Sequence, residues 1–407
     1  MSTLSVVIPA LNERDGIADI IERVLAVRPS LREAGVDDLE LIVVDDGSTD
    51  GTGEVVARYG EVKLVGHPAN RGYGAALKTG FHHARGDLLA FLDADGTYPP
   101  EQFPALCREA LGGADLVIGS RMAGAQSEMP AVRRLGNRIF ASMISLVGNQ
   151  RISDSASGMR VFRREVLPCL YPLPDGLNFT PIMSTRAIHE KIKMVEVPIP
   201  YRERVGRSKL KVLKDGTRYV QSITWTALSY NPVRILGGGS VILGLLALAI
   251  AAGLVIQRLR GVTTLGPWGV TGLFVGMVAA VASVGLFALG AMFNYLVSLF
   301  HKRPVKQGLF GQPIFDPPLD RHFGWLGLAA CLAGILLGLA SVVLGVNGWP
   351  VARLWLYMLA SAMGFLVGLE LIVSWLVMRI LEELSQREAQ VACDMTSEQP
   401  GGPVGRP

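Results

Sequence analysis

Four stretches in the second half of the chain, 235–257, 267–300, 323–352 and 354–378, carry no charged side chain apart from Glu370 in the last. A helix rises about 1.5 Å per residue and bilayer hydrocarbon is about 30 Å thick, so about 20 apolar residues suffice to cross it. All four stretches are long enough. They predict transmembrane helices at about 235–257, 268–300, 323–347 and 354–380, within a membrane domain of residues 233–382. Residues 1–230 instead mix charged, apolar and turn residues, as a water-soluble domain does. The mean hydropathy of +0.36 therefore averages over two solvents.

The charges between the apolar stretches set an expected orientation. Arg258 and Arg260 follow the first stretch and Arg353 the third, whereas Lys302, Arg303, Lys306 and Arg321 follow the second. The richer loop is expected in the cytosol, and with it both termini, at a bacterial-type inner or plasma membrane. The opening MSTLSVVIPALNER is a strand pattern without the cationic start of a signal peptide. Four cysteines (Cys107, Cys169, Cys331, Cys393) lack metal spacing and are read as free thiols. The net charge of +4 gives no reason to expect a nucleic-acid partner. Its distribution says more. RERVGRSKLKVLKDGTR, at 202–218, is crowded with Lys and Arg and opens a basic juxtamembrane segment, 202–232, that anionic lipid headgroups would attract. The cytosolic tail, 383–407, ends rich in Gly and Pro and is read as disordered. Nothing in the sequence fixes an oligomeric state.

Residues 1–201 read as an α/β catalytic domain. Short apolar strands are expected at 5–11, 39–44, 62–65, 88–92 and 115–119, with helices from an Asn12 cap to about 28, then 49–59, 70–84 and 99–111. Strands separated by such helices imply a mostly parallel sheet, whose ligands lie beyond the carboxyl ends of the strands. Three of those ends are polar: Pro9-Ala10-Leu11-Asn12-Glu13, Asp45-Asp46, and Asp93-Ala94-Asp95. Asp45-Asp46-Gly47-Ser48 also suits a plain turn. Asp93 and Asp95 are harder to explain away, since two acids so close repel unless a cation lies between them. Mg²⁺ or Mn²⁺ suits oxygen ligands, and Mg²⁺ is commonly held by one or two carboxylates plus substrate phosphates. A phosphate-bearing substrate follows. The stretch Asn70-Arg71-Gly72-Tyr73-Gly74 is similar to a phosphate-cradling loop but lacks its lysine spacing. Tight packing is the favoured reading there, with Arg71 as a donor-site cation. His82, His83, His189 and His301 show no partner pattern. Glu370 and Asn294 are expected to share a hydrogen bond within the membrane.

In order along the chain, VVIPALNE, VVDDGSTDGT, NRGYGAALKTGF, FLDADGTYPPE and GSRM resemble glycosyltransferase family 2 with its GT-A fold. SDSASGMRVFRRE and RERVGRSKLK narrow the resemblance to the polyprenyl-phosphate glycosyltransferases, relatives of dolichol-phosphate mannosyltransferase. The resemblance covers about 4–215. It implies inverting transfer of a hexose from a UDP- or GDP-sugar to a membrane polyprenyl phosphate. It also implies that Pro9, Ala10, Glu13, Asp45 or Asp46, and Ala94 line the nucleotide pocket, and that Asp93 and Asp95 are the metal-binding DxD. Arg121, Arg133 and Arg134 resemble acceptor-phosphate ligands, and Arg204 and Lys209 the basic loop that closes on the donor diphosphate. Only Val205 separates Arg204 from Gly206, where relatives have two residues, so Arg202 is an alternative. Asp154 matches the acid of the family's D-x-x-SG motif. Three roles stay open for it: accepting a proton, orienting the acceptor or holding Arg160. The segment 135–147, largely apolar after Arg133 and Arg134, is expected to lie on the membrane surface.

Two rival functions are weighed against this. A processive polysaccharide synthase needs Q-x-x-R-W on the cytosolic side, and the nearest match, 257–261, lacks the tryptophan and is expected outside. A lipid transport or assembly subunit with an inactive transferase domain fits poorly with an intact DAD and basic loop.

Overall fold

Runs of four to eight apolar residues broken by amphipathic stretches produce alternating strands and helices in the first half of the chain. The computed structural model describes residues 2–122, 127–147, 150–202, 212–262, 265–301, 318–349 and 351–396. The chain falls into two compact units, Met1–Thr226 and Ala227–Pro407.

In the first unit, seven strands form one sheet: β1 (Thr3–Ala10), β2 (Asp38–Asp45), β3 (Val62–Gly66), β4 (Leu88–Leu92), β5 (Leu116–Ser120), β6 (Met159–Arg163) and β7 (Met194–Pro198). Their order is β3-β2-β1-β4-β6-β5-β7. All pairings are parallel except those of β6, which runs antiparallel to β4 and β5. The helices between them are α1 (Ile17–Ala26), α2 (Arg28–Glu33), α3 (Thr52–Val56), α4 (Tyr73–His83), α5 (Phe103–Leu111), α6 (Ala131–Val147), α7 (Leu167–Leu170) and α8 (Phe179–His189). Helix α9 (Val212–Leu228) begins in this unit and ends just past its last residue.

Side chains alternate across a strand, so each face of the sheet gathers its own core. Leu4, Val6 and Ile8 of β1 pack with Ile17, Ile21 and Leu106, while Val7 packs with Phe81, Phe91 and Phe179. Helix α1 shows the cause at sequence level. Ile17, Ile20, Ile21 and Val24 follow helical spacing and are all buried. Burying each such side chain contributes roughly 1.5–3 kcal/mol. Helix α6 divides differently. Ala141 and Ile144 are buried, whereas Val132, Leu135, Ile139 and Leu146 are exposed along the helix.

The second unit holds α10 (Pro232–Leu259), α11 (Pro267–His301), α12 (Phe323–Val346) and α13 (Val351–Thr396). All four are long and apolar enough to cross a membrane. Small residues let them approach. A Cβ on Gly368 of α13 would lie 2.6 Å from Cys331 N and Gly327 O of α12. Ser283 Oγ donates to Ser240 O at 2.8 Å and Ser361 Oγ to Gly334 O at 2.7 Å, the hydrogen bonds expected between helices without water.

The structure corrects several expectations. Asn12 is not a helix cap. Its φ is +51°, its Oδ1 accepts from Thr49 N at 2.8 Å, and α1 starts only at Ile17. The helix expected at 49–59 shortens to Thr52–Val56. Glu370 does not sit beside Asn294. Its carboxylate lies against Gly285, nine residues away and so about 13 Å along α11. Asn294 Oδ1 instead accepts from Val233 N in the first turn of α10, where the helix leaves that donor unpaired. The last apolar helix does not stop near 380 but runs to Thr396, because Leu381-Glu382-Glu383 and Arg387-Glu388-Ala389 are strong helix formers. The tail expected to be disordered from 383 is therefore helical over its first half; 397–407 lie outside the described residues.

Candidate active site

Strand register gathers the polar motifs. Ala10 of β1 pairs with Asp45 of β2, and Val7 pairs with Phe91 of β4, so Pro9–Ala10, Asp45–Asp46 and Asp93–Asp95 share one sheet edge. Strand β5 reaches the same edge at Ser120, just before Arg121. Antiparallel β6 starts there at Met159, which pairs with Leu92, and so brings the preceding 154–158 turn to the acids. A cavity of about 500 Å³ opens at this edge. Pro9, Ala10, Glu13, Asp46, Asp93, Ala94 and Asp95 all line it.

The acidic wall is tightly organised. Asp93 Oδ1 accepts from Tyr73 Oη at 2.7 Å. Gly158 lies so close that any Cβ there would collide with Asp93 Oδ2. Asp95 Oδ1 accepts from Thr97 N at 3.2 Å and Thr97 Oγ1 at 2.5 Å. No group of three or more His, Cys, Asp or Glu fit for a metal occurs among the described residues. Two carboxylates on one cavity wall, one cradled by a glycine, fit a cation that completes its shell with substrate phosphates. Burial and then the charge of Asp93 push the Tyr73 phenol well above its ordinary pKa, so it remains a proton donor.

On another wall Arg121 forms a buried bidentate pair with Asp154, Nε–Oδ2 2.8 Å and Nη2–Oδ1 2.7 Å, and its own N–H adds a third bond at 2.9 Å. The rings of Tyr98 and Tyr201 flank the guanidinium at 5.7 and 5.4 Å. Burial opposes both charges, yet the attraction prevails. Against that burial, Arg121 holds the Asp154 carboxyl below its ordinary value, and Asp154 holds Arg121 well above its own. Glu196 fixes the turn by accepting from Asp154 N at 2.8 Å. Arg160 is held near Asp154 by charge while its hydrogen bonds go elsewhere. It is wholly buried and donates to Ser155 O and Ser157 O at 2.8 and 3.2 Å, with burial lowering its pKa to about 10.

Not every candidate reaches the cavity. Asp45 is a turn residue, whose Oδ1 accepts from Ser48 N at 2.9 Å. Arg71 contributes only its backbone, which donates to Asp46 Oδ1. Arg133 lines the cavity, but Arg134 turns away and donates from Nη2 to Ser127 O at 3.0 Å. Asp154 lies behind Arg121 at 0 % exposure. Arg202 is exposed, its N–H bonded to Thr97 O. Arg204 and Lys209 lie outside the described residues. Sequence reasoning missed Tyr98, Tyr201, Asn137 and Arg218, which also line the cavity. It missed His67 as well, 2.7 Å from Asp46. Tyr98 lies within FLDADGTYPPE and Arg218 ends the basic stretch 202–218, but nothing in either stretch marks them as cavity residues; Tyr201, Asn137 and His67 are brought here by the fold alone.

Comparison with known proteins agrees with this geometry. Residues 5–171 match glycosyl transferase family 2, and 232–392 match a domain of unknown function (DUF8752). A low-salt glycan biosynthesis hexosyltransferase of Haloferax volcanii is 35 % identical over 256 residues, 61 % of this chain and 59 % of that protein. The chain thus spans less than two thirds of that relative. An undecaprenyl-phosphate 4-deoxy-4-formamido-L-arabinose transferase of Edwardsiella ictaluri is 29 % identical over 307 residues, 73 % of this chain and 90 % of that protein. Among solved structures, glucosyl-3-phosphoglycerate synthase from Mycobacterium tuberculosis, with Mn²⁺, UDP-glucose and phosphoglyceric acid, aligns at a TM-score of 0.44 and 23 % identity, covering 56 % of this chain and 80 % of that one. A mostly parallel sheet carrying an acid pair at its carboxyl edge, within the matched stretch, is the arrangement of a GT-A fold, and residues 5–171 form a glycosyl transferase family 2 domain.

Proposed function

We propose that the protein transfers a hexose, with inversion, from a UDP- or GDP-sugar to a polyprenyl phosphate of the membrane. The observation that carries this reading is the single cavity in which Asp93 and Asp95 meet Arg133 of α6. Sugar donor and anionic acceptor then have complementary walls within reach of each other. The hexosyl- and undecaprenyl-phosphate transferases among the relatives support the substrate classes.

Pro9, Ala10, Glu13 and Asp46 bind the nucleotide in this reading. Asp93 and Asp95 would hold Mg²⁺ or Mn²⁺, which offsets charge on the diphosphate leaving group. Arg204 and Lys209 close over that diphosphate. Arg133 receives the acceptor phosphate, whose oxygen attacks the anomeric carbon while the bond to the nucleotide β-phosphate breaks and the diphosphate departs with its electron pair. A phosphate monoester has a second pKa near 6, so the nucleophile is already ionised at neutral pH. Asp154 is then an orienting group rather than a base, since its charge is committed to Arg121. The exposed apolar stripe of α6, with Arg133 beside it, suits a helix lying in the headgroup layer. The catalytic unit and both termini are on the cytosolic side, where sugar nucleotides are found.

Purified protein incubated with radiolabelled UDP- or GDP-sugar, Mn²⁺ and polyprenyl phosphate should yield labelled lipid. Label released only as free sugar, in every arm, would refute the acceptor.

A further inference from the structure

The glycine-rich turn before α4 has the composition of a phosphate cradle, yet four of its backbone donors are already engaged. Arg71 N and Gly72 N donate to Asp46 Oδ1 and Oδ2, each at 2.9 Å. Gly74 N and Ala75 N donate to Asp175 O at 2.7 and 3.2 Å. Asp46 is held from behind by His67, whose Nδ1 lies 2.7 Å from Oδ1. His67 Nε2 lies 2.9 Å from Thr79 Oγ1, within α4 itself. The turn is thus clamped on both sides. Asn70 and Tyr73 of the turn both line the cavity, and it is Tyr73 whose ring packs edge-on to Phe179 and whose hydroxyl reaches Asp93 Oδ1.

We propose that Tyr73 is a positioning residue for Asp93, and that Asp46 and His67 anchor the turn presenting it, so that the turn orients the acid pair instead of binding phosphate. The inference rests on the functional reading above for the role of Asp93. With Tyr73 donating to Oδ1 and Gly158 abutting Oδ2, the carboxylate plane is fixed from both sides. A carboxylate fixed in this way can meet a cation without first losing rotational freedom. Hydrogen bonds of this kind to a ligating group alter metal affinity about 10- to 100-fold.

The test uses the full chain and Mn²⁺, titrated with UDP in one arm and GDP in the other, on wild type, Tyr73→Phe, Asp93→Asn and the double variant. Tyr73→Phe keeps the ring and removes one hydrogen bond. It should weaken Mn²⁺ binding about 10- to 100-fold, leave metal-free nucleotide binding unchanged, and add nothing when Asp93 is already Asn. Wild-type Mn²⁺ affinity in Tyr73→Phe would overturn the inference and leave the functional reading intact. Equal losses of Mn²⁺ and metal-free nucleotide binding would also overturn it, by showing a collapsed turn. Absence of saturable Mn²⁺ binding by wild type in both arms would remove the functional reading and the inference together.

Discussion

The two units bury polar groups by different rules. In the first, charge is buried where it is answered: Asp154 by Arg121, and Asp46 by His67 and two backbone donors. The outer face there is polar apart from stripes such as that on α6. In the second, the buried polar groups are uncharged, serines and asparagines such as Ser341 and Asn294 bonded to the backbone, and the outer face is apolar, with Trp268 88 % and Val346 83 % exposed. Both satisfy their backbone donors internally, as either solvent demands. What differs is the cost of a mistake. An unpaired charge is the vulnerability of the first unit, and a lost close approach is that of the second.

The sharpest break of the comparison is at the acid pair. Asp93→Asn or Asp95→Asn should lower turnover by roughly 10²–10³-fold or more while thermal unfolding of the protein is unchanged, because the loss is of electrostatic stabilisation and not of packing. EDTA should reproduce it, and full activity in EDTA would sink the metal role.

Asp154→Asn leaves a buried guanidinium without its carboxylate. It should cost the first unit about 3–5 kcal/mol, read by denaturant unfolding. The sign with pH follows from the depressed carboxyl. The pair's stabilisation is fully present above the unfolded value near 3.9 and is lost as pH falls through the lower folded value. Wild type should therefore lose stability on acidification in that window, and Asp154→Asn should show less of that loss.

In the second unit, Gly368→Val should destabilise the α12–α13 pair by about 1–3 kcal/mol through overpacking, with the nucleotide affinity of the first unit untouched. A parallel loss of nucleotide binding would show that the units do not behave separately.

The smallest effects belong to the cavity's basic wall. Arg133→Ala should weaken acceptor use about 10- to 100-fold, as expected for one charge-assisted bond, with donor affinity constant. Arg134→Ala should do much less, since its guanidinium donates to Ser127 O. Equal effects from both would contradict their different directions from α6.

The reading from sequence went furthest where a pattern repeats. Strands β1 to β5 were legible as short apolar runs, and the four apolar helices as long ones. Asp93 and Asp95 were legible because two acids at a strand end have few structural uses. Strand β6 was not, because MRVFR places a wholly buried Arg160 where a strand is expected to be apolar. Arg133 and Arg134 could not be separated, since neighbours on a helix point about 100° apart and the phase is set by packing. Tyr73 and His67 were invisible for another reason. Their partners are 20 and 21 residues away, and only the parallel order of β4, β1, β2 and β3 brings them together.

Helix α13 is 46 residues long, about 69 Å, more than twice the thickness of bilayer hydrocarbon. Its apolar span ends at Leu384, and the helix continues twelve residues to Thr396, about 18 Å further along its axis. At physiological ionic strength the Debye length is about 8 Å, so the field of anionic headgroups has decayed over roughly two such lengths by that point. Charges introduced near Thr396 would sense bulk electrolyte, whereas the same charges at Glu382 would sense the lipid.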